Sequence, residues 1–192
     1  MTLRVGACQT PELLGDVEAA LVCLQDFATR AAAQGVDLLL FPECFLQGYL
    51  VDEQQAATAR RTSWPASPCF HRGDAYPTFD LRGVRFGINI CYDTRFAEAA
   101  AAVAAQGAHL LLVPAQNMMR REAAHRWQNL HHTIRAERVR ETGMWLVSAD
   151  VTGERDEHRV GLGPTSVIDP RAEVVAQVPP MTTGMVVADI GI

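Results

Sequence analysis

The chain contains no lysine; all 17 of its Lys and Arg residues are arginine. A general arginine bias explains this without any functional meaning. It still excludes every mechanism that needs a lysine amine. Long apolar runs are also missing. Nothing approaches the ~20 apolar residues that a membrane-spanning helix requires. Residues 1–5, Met-Thr-Leu-Arg-Val, read as a strand and lack a signal-peptide pattern. The five cysteines are an odd number with no CxxC pair, which argues against a disulfide framework or a zinc knuckle. They read as reduced thiols of a cytoplasmic protein. Strong charge of either sign is absent too. A formal net charge of −5 gives no reason to expect nucleic acid or a membrane surface as a partner.

What is present is an ordinary globular composition, 48% hydrophobic over 192 residues. That is enough chain for one sizeable core, and one domain over residues 1–192 is expected. Strand and helix patterns alternate along it. Residues 3–8 read as a strand. Asp16 is the expected N-cap of a helix whose apolar positions Val17, Ala20, Leu21, Leu24 and Phe27 recur at helical spacing, with Gly35 closing it. Residues 36–41 form a continuous apolar run, as expected of a strand covered on both faces. Residues 48–80 are poorly patterned. Further strands are expected at 84–90, 109–113, 144–149 and 185–190, with helices at 96–106 and 122–142. A hairpin is expected at 164–168 and 174–178, around the turn Asp169-Pro170-Arg171-Ala172. This alternation implies a layered α/β fold.

Functional groups of such folds gather beyond the carboxyl ends of strands. The run 36–41 delivers Glu43, the run 84–90 delivers Cys91, and later ends deliver Gln116-Asn117 and Asp150. A lone cysteine is usually a small buried core residue, and a lone glutamate is usually a solvated loop acid. Here the two project from comparable positions of neighbouring units, as a nucleophile and its general base require. Phe41-Pro42 before Glu43 should bury the carboxylate and raise its pKa.

The segments Leu39-Leu40-Phe41-Pro42-Glu43 and Gly87-Ile88-Asn89-Ile90-Cys91-Tyr92-Asp93-Thr94-Arg95-Phe96 resemble the glutamate and cysteine motifs of the nitrilase, or carbon–nitrogen hydrolase, superfamily. Residues 4–9, Gly73-Asp74 with Phe79-Asp80, residues 135–143 with 147–150, and residues 163–170 resemble other family segments in the right order. The resemblance implies an α-β-β-α sandwich, commonly dimerised, with no metal and no organic cofactor. It implies hydrolysis of amides, nitriles or carbamoyl compounds through a thioester. Cys91 would be the nucleophile and Glu43 the base. The backbone N–H of Tyr92 would help hold the oxyanion, and Asn117 is a candidate to line the pocket.

The chain departs from the family in two ways. The family's third catalytic member is a lysine; the best local match, Arg60-Arg61-Thr62-Ser63-Trp64, puts Arg61 in its place. Arginine keeps the charge but is planar and rigidly forked. Between Tyr49 and Arg60 the family normally has a helix and two strands, and the ten residues here cannot hold the strand pair, so part of one sheet should be missing. Three readings follow. The protein is a compact hydrolase using Arg61, a catalytically impaired relative that serves as a binding or assembly partner, or an internally deleted chain of marginal stability.

Other features read as structural. His125, His131 and His132 share the expected long helix with Trp127, at a spacing that does not supply a metal site; a surface or dimer-interface role suits them better. Asp93 and Arg95 are expected to pair and shape the turn after Cys91. Cys8, Cys23 and Cys44 read as packing residues, and Cys69 as lying in an irregular segment.

Overall fold

A computed structural model describes residues 2–46, 48–49, 73 and 75–192. Chain order begins with β1 (Thr2–Pro11), α1 (Val17–Ala33) and β2 (Leu38–Leu40). Then come β3 (Thr78–Leu81), β4 (Val84–Ile88), a 3-10 turn (Cys91–Arg95) and α2 (Ala97–Ala104). They are followed by β5 (Leu110–Pro114), β6 (Met118–Arg120), α3 (Arg121–Trp127), α4 (Leu130–Thr142) and β7 (Trp145–Glu154). The chain ends with β8 (Arg159–Leu162), β9 (Ser166–Ile168), β10 (Val174–Gln177) and β11 (Gly184–Gly191).

These strands form one hydrogen-bonded network folded into two layers, and β7 belongs to both. Its first half lies between β5, in parallel, and β9, antiparallel. Its second half runs parallel to the end of β1 and antiparallel to β8. The order β10-β9-β7-β5-β4-β3 makes one layer. The other is built on β1, which pairs with β11 along its length and with β2 through Val5, Gly6 and Ala7.

Side-chain parity then decides the layers, because successive residues of a strand face opposite ways. Leu110 and Leu112 of β5 and Val147 and Ala149 of β7 meet Leu3, Val5 and Ala7 of β1 in a core between the sheets. The odd residues Leu111 and Val113, with Leu146, turn the other way onto Ala100, Val103, Ala136 and Val139 of α2 and α4. On the far side of the β1 layer, α1 buries Ala20, Phe27 and Ala31. The result is the expected α-β-β-α sandwich.

Local signals explain many boundaries. Asp16 caps α1 by accepting from Ala19 N–H at 2.9 Å, and Gly35 follows its end at φ +68°. Gly143 ends α4 in the left-handed conformation that favours glycine at such ends. Several expectations need correction. The helix 122–142 is two helices, broken between Trp127 and Leu130. Residues 36–41 yield only three strand residues, half-buried and not covered on both faces. The strand expected at 144–149 runs on to Glu154, so Asp150 is no strand end. The short strands β3, β6 and β8 had no clear pattern of their own; they form because neighbouring strands offer them partners. The shortened stretch 50–59 lies outside the described residues.

Candidate active site

The strand β4 stops at Ile88, and the next residues carry the nucleophile candidate out of the sheet. Asn89 N–H still donates to Leu112 O at 3.0 Å. The backbone then turns sharply, and Cys91 adopts φ +43°, a left-handed conformation that is uncommon for a residue with a side chain. Asp93 stabilises the turn by accepting from Ile90 N–H at 2.9 Å, and Thr94 Oγ1 donates to Cys91 O at 2.7 Å. Arg138 of α4 reaches the carbonyls of Thr94 and Arg95 from below. The expected Asp93–Arg95 pairing is replaced by this cap. Arg95 instead lies over the rings of Tyr92 and Trp127, 5.1 and 4.9 Å from their centres.

Glu43 comes from the turn after β2. Phe41 and Phe45 on either side of it stack at 5.1 Å, and Phe41 meets Phe27 of α1 edge-on at 6.2 Å. Phe41 and Phe45 of this aromatic series flank Glu43 in the chain. Burial pushes the Glu43 carboxyl up to about 7, against the lowering effect of a hydrogen bond with the Cys91 side chain. The Cys91 thiol is pushed well above the usual thiol range, first by burial and then by the negative charge of Glu43. The two groups are therefore in contact, with the thiol neutral and the carboxylate poised to take its proton.

Residues 115–117, just past β5, tie this pair together. Ala115 O accepts from Glu43 N–H at 3.3 Å, and Ala115 N–H donates to Ala149 O at 2.9 Å. The Gln116 backbone hydrogen-bonds the Cys91 side chain and favours its charged form. The Gln116 side chain donates to Glu12, which is also paired with Arg155. Asn117 is buried. Its N–H donates to Asp150 Oδ1 at 2.9 Å, and its side-chain amide donates to Asp150 Oδ2.

Asp150 is fully buried beside Arg135, Nη2 to Oδ2 at 3.6 Å. Arg135 is 3% exposed and donates to Ser148 Oγ at 3.0 Å and to Pro164 O. Burial pushes Asp150 up and Arg135 down, and each one's charge counters the shift of the other.

Of the residues expected at the site, the structure brings Cys91 and Glu43 together and sets Asn117 one residue from the segment that joins them. Asn117 also lines a cavity of about 330 Å³ with Met119, His131, His132 and Leu162. Tyr92 follows Cys91 in the 3-10 turn, its ring 5.4 Å from that of Phe96. Arg61 and Cys69 lie outside the described residues. Tyr49 was overlooked as a neighbour of the pair; its hydroxyl is pushed up to about 12 by burial and by Glu43 and Cys91. The structure also brings Arg135 and the Gln116 backbone into the surroundings of the pair. His131 packs on Trp127 at 5.5 Å, and burial holds it down at about 4. Cys8 is fully buried, and Cys23 and Cys44 are half-buried free thiols. No helix of the described residues is long and apolar enough to cross a membrane.

Comparison with known proteins gives the family and the fold. Residues 4–67 and 55–192 match the carbon–nitrogen hydrolase family. The omega-amidase NIT2 of Homo sapiens is 32% identical over 105 residues, covering 55% of this chain and 36% of that protein. The (R)-stereoselective amidase of a Pseudomonas species is 31% identical over 113 residues, covering 58% of this chain and 39% of that protein. The chain thus spans well under half the length of these relatives. Two structures of an amidase from Nesterenkonia sp. AN1 share its fold at 22% identity. Their TM-scores are 0.80 and 0.79, over 98% of this chain and 90% and 93% of theirs. The family match runs through both the glutamate turn and the cysteine turn, and on this ground the chain belongs to the carbon–nitrogen hydrolase family.

Proposed function

We propose that the chain hydrolyses the C–N bond of small-molecule amides, with Cys91 as nucleophile and Glu43 as general base. The observation that carries this reading is the hydrogen bond between the Cys91 and Glu43 side chains at the end of β4. In the first half-reaction, the Cys91 proton passes to Glu43 as sulfur bonds to the carbonyl carbon. The tetrahedral oxyanion is held by the backbone N–H of Tyr92 at the start of the 3-10 turn. Glu43 returns the proton to the leaving nitrogen, the C–N bond breaks, and ammonia or an amine departs. A thioester remains. In the second half, Glu43 takes a proton from water, hydroxide adds to the thioester, and the carboxylic acid leaves as Cys91 regains its proton.

Amides come first among the possible substrates because the relatives above are amidases. In a mutant of the Nesterenkonia amidase, acrylamide has added to the active-site cysteine by Michael addition, a reaction of its alkene that marks a reactive thiol in that protein. Nitriles and carbamoyl compounds need the same first addition and belong in the same screen. The test is release of ammonia from a panel of short amides, nitriles and carbamoyl compounds. Activity in the parent chain that disappears in Cys91→Ala supports the reading. Absence of turnover across the panel, together with an unreactive Cys91, favours the binding or assembly role instead. The specific observation behind that second reading is that no lysine is available to the site.

A further inference from the structure

The pair of groups at the centre of the site leaves two buried charges unexplained. Arg135 and Asp150 are both almost fully buried, and a buried ion pair is weak evidence for stability because desolvation offsets much of its attraction. Leu146, Ser148 and Asp150 share one face of β7 by parity. The apolar residue of the three packs in the helix-side core, and the two polar ones both meet Arg135.

Asp150 also reaches the site. It accepts both the backbone and side-chain N–H groups of Asn117. The preceding residue, Gln116, hydrogen-bonds the Cys91 sulfur through its backbone, and Ala115 holds the backbone of Glu43. A short physical path thus runs from Arg135 through Asp150 and residues 115–117 to both members of the pair. Charge runs along the same path. A thiolate forms more readily near a positive group and less readily near a carboxylate. Asp150 opposes ionisation of Cys91, and the charge of Arg135 counters that of Asp150.

We infer that Arg135 is a positioning residue for the nucleophile: through Asp150 it fixes residues 115–117 against Cys91 and Glu43, and its buried positive charge offsets the carboxylate of Asp150 beside them. This deepens, and rests on, the amidohydrolase reading above. Among the described residues, the charged or titratable groups around the pair are Glu43 itself with Tyr49 beyond β2, Asp93 of the cysteine turn beside Glu43, Asp150 of β7 and Arg135 of α4. His131, on α4 beside Arg135, is held neutral by burial.

The test is the pH dependence of iodoacetamide alkylation at Cys91, followed by mass spectrometry, in the parent and three variants. Asp150→Asn keeps the shape and removes the negative charge, so the midpoint should move down. Arg135→Met leaves Asp150 uncompensated, so the midpoint should move up by about one pH unit, roughly a tenfold slower reaction below the midpoint. Arg135→Lys keeps the charge and should leave the midpoint close to the parent value. A merely structural pair would lower the melting temperature in all three without opposite shifts. An unchanged midpoint in Asp150→Asn, or a downward shift in Arg135→Met, overturns the inference. If Arg135→Met does not fold, Asp150→Asn and Arg135→Lys still decide it. Failure of the amidohydrolase reading shows separately, as no ammonia released by the parent chain from the panel of amides, nitriles and carbamoyl compounds.

Discussion

Glu43 and Cys91, 48 residues apart in the sequence, share a hydrogen bond in which burial drives both groups toward their neutral forms. Under the proposed function, a neutral thiol beside a carboxyl that titrates near 7 would act as a base-activated nucleophile and not as a resting thiolate. Only the ionised form of Glu43 can take the Cys91 proton. The rate constant kcat/KM for amide hydrolysis should therefore rise with pH through a midpoint near 7 and reach a plateau above it. Glu43→Gln should lower it by about 10²–10⁴-fold. A pH profile that is flat from 5 to 8 removes Glu43 from the role of base.

The same carboxyl should leave a signature in stability. Its folded pKa, about 7, lies above its ordinary value of 4.5. Below pH 4.5 both states hold the proton, and burial costs nothing extra. As pH rises from 4.5 toward 7, the unfolded chain releases the proton and the folded chain retains it, so stability falls. Above 7 the folded protein holds an unfavourable buried charge. Glu43→Gln should match the parent near pH 4 and exceed it at pH 8, by on the order of 2 kcal/mol after allowance for screening. Urea unfolding at the two pH values measures this. Equal differences at both would show that Glu43 is not buried as described.

Phe41 sets the environment of that carboxylate. Phe41→Leu removes the stacking on Phe45 and the edge contact with Phe27, contacts of about 0.5–1.5 kcal/mol each. Water then reaches Glu43 more easily, and the midpoint of the pH–rate profile should move below that of the parent. A midpoint that stays in place would assign the raised pKa to the remaining walls of the pocket.

Gly87 tests how the cysteine turn is seated. A Cβ there would lie 2.4 Å from Val103 Cγ1 of α2. Gly87→Ala should destabilise the protein by about 1–3 kcal/mol through overpacking. It should also slow alkylation of Cys91, because β4 carries the turn directly. Adding Val103→Ala should restore much of both losses. Failure of the second substitution to rescue would place the strain elsewhere.

Much of this was legible in the residues themselves. The cap Asp16, the stop signals Gly35 and Gly143, and the apolar runs of β5 and β7 each act locally, and local physics placed them. The segments around Glu43 and Cys91 carry enough specific chemistry to be read as a pair. The sequence pattern failed where partners decide the outcome. The strands β6 and β8 are short, and they exist because each supplies the other with hydrogen bonds. The division between α3 and α4 escaped notice because the pattern from Glu122 to Thr142 carries no glycine or proline at the break.

Arg135 shows the boundary most clearly. The α4 stripe Arg135, Ala136, Arg138 and Val139 is the buried face of the helix, and two arginines on such a face were a signal for buried partners. Spacing along the chain by itself determined most of the alternation of strands and helices, and the motifs carried the resemblance to the family and named Cys91 and Glu43 as candidates. Only the tertiary structure decided that β7 crosses between layers, which brings Asp150 under Asn117 and Arg135 under Asp150. The reason is physical. Burial, parity and the path of a shared strand fix which charges meet, and none of these is a property of a residue and its neighbours in the chain.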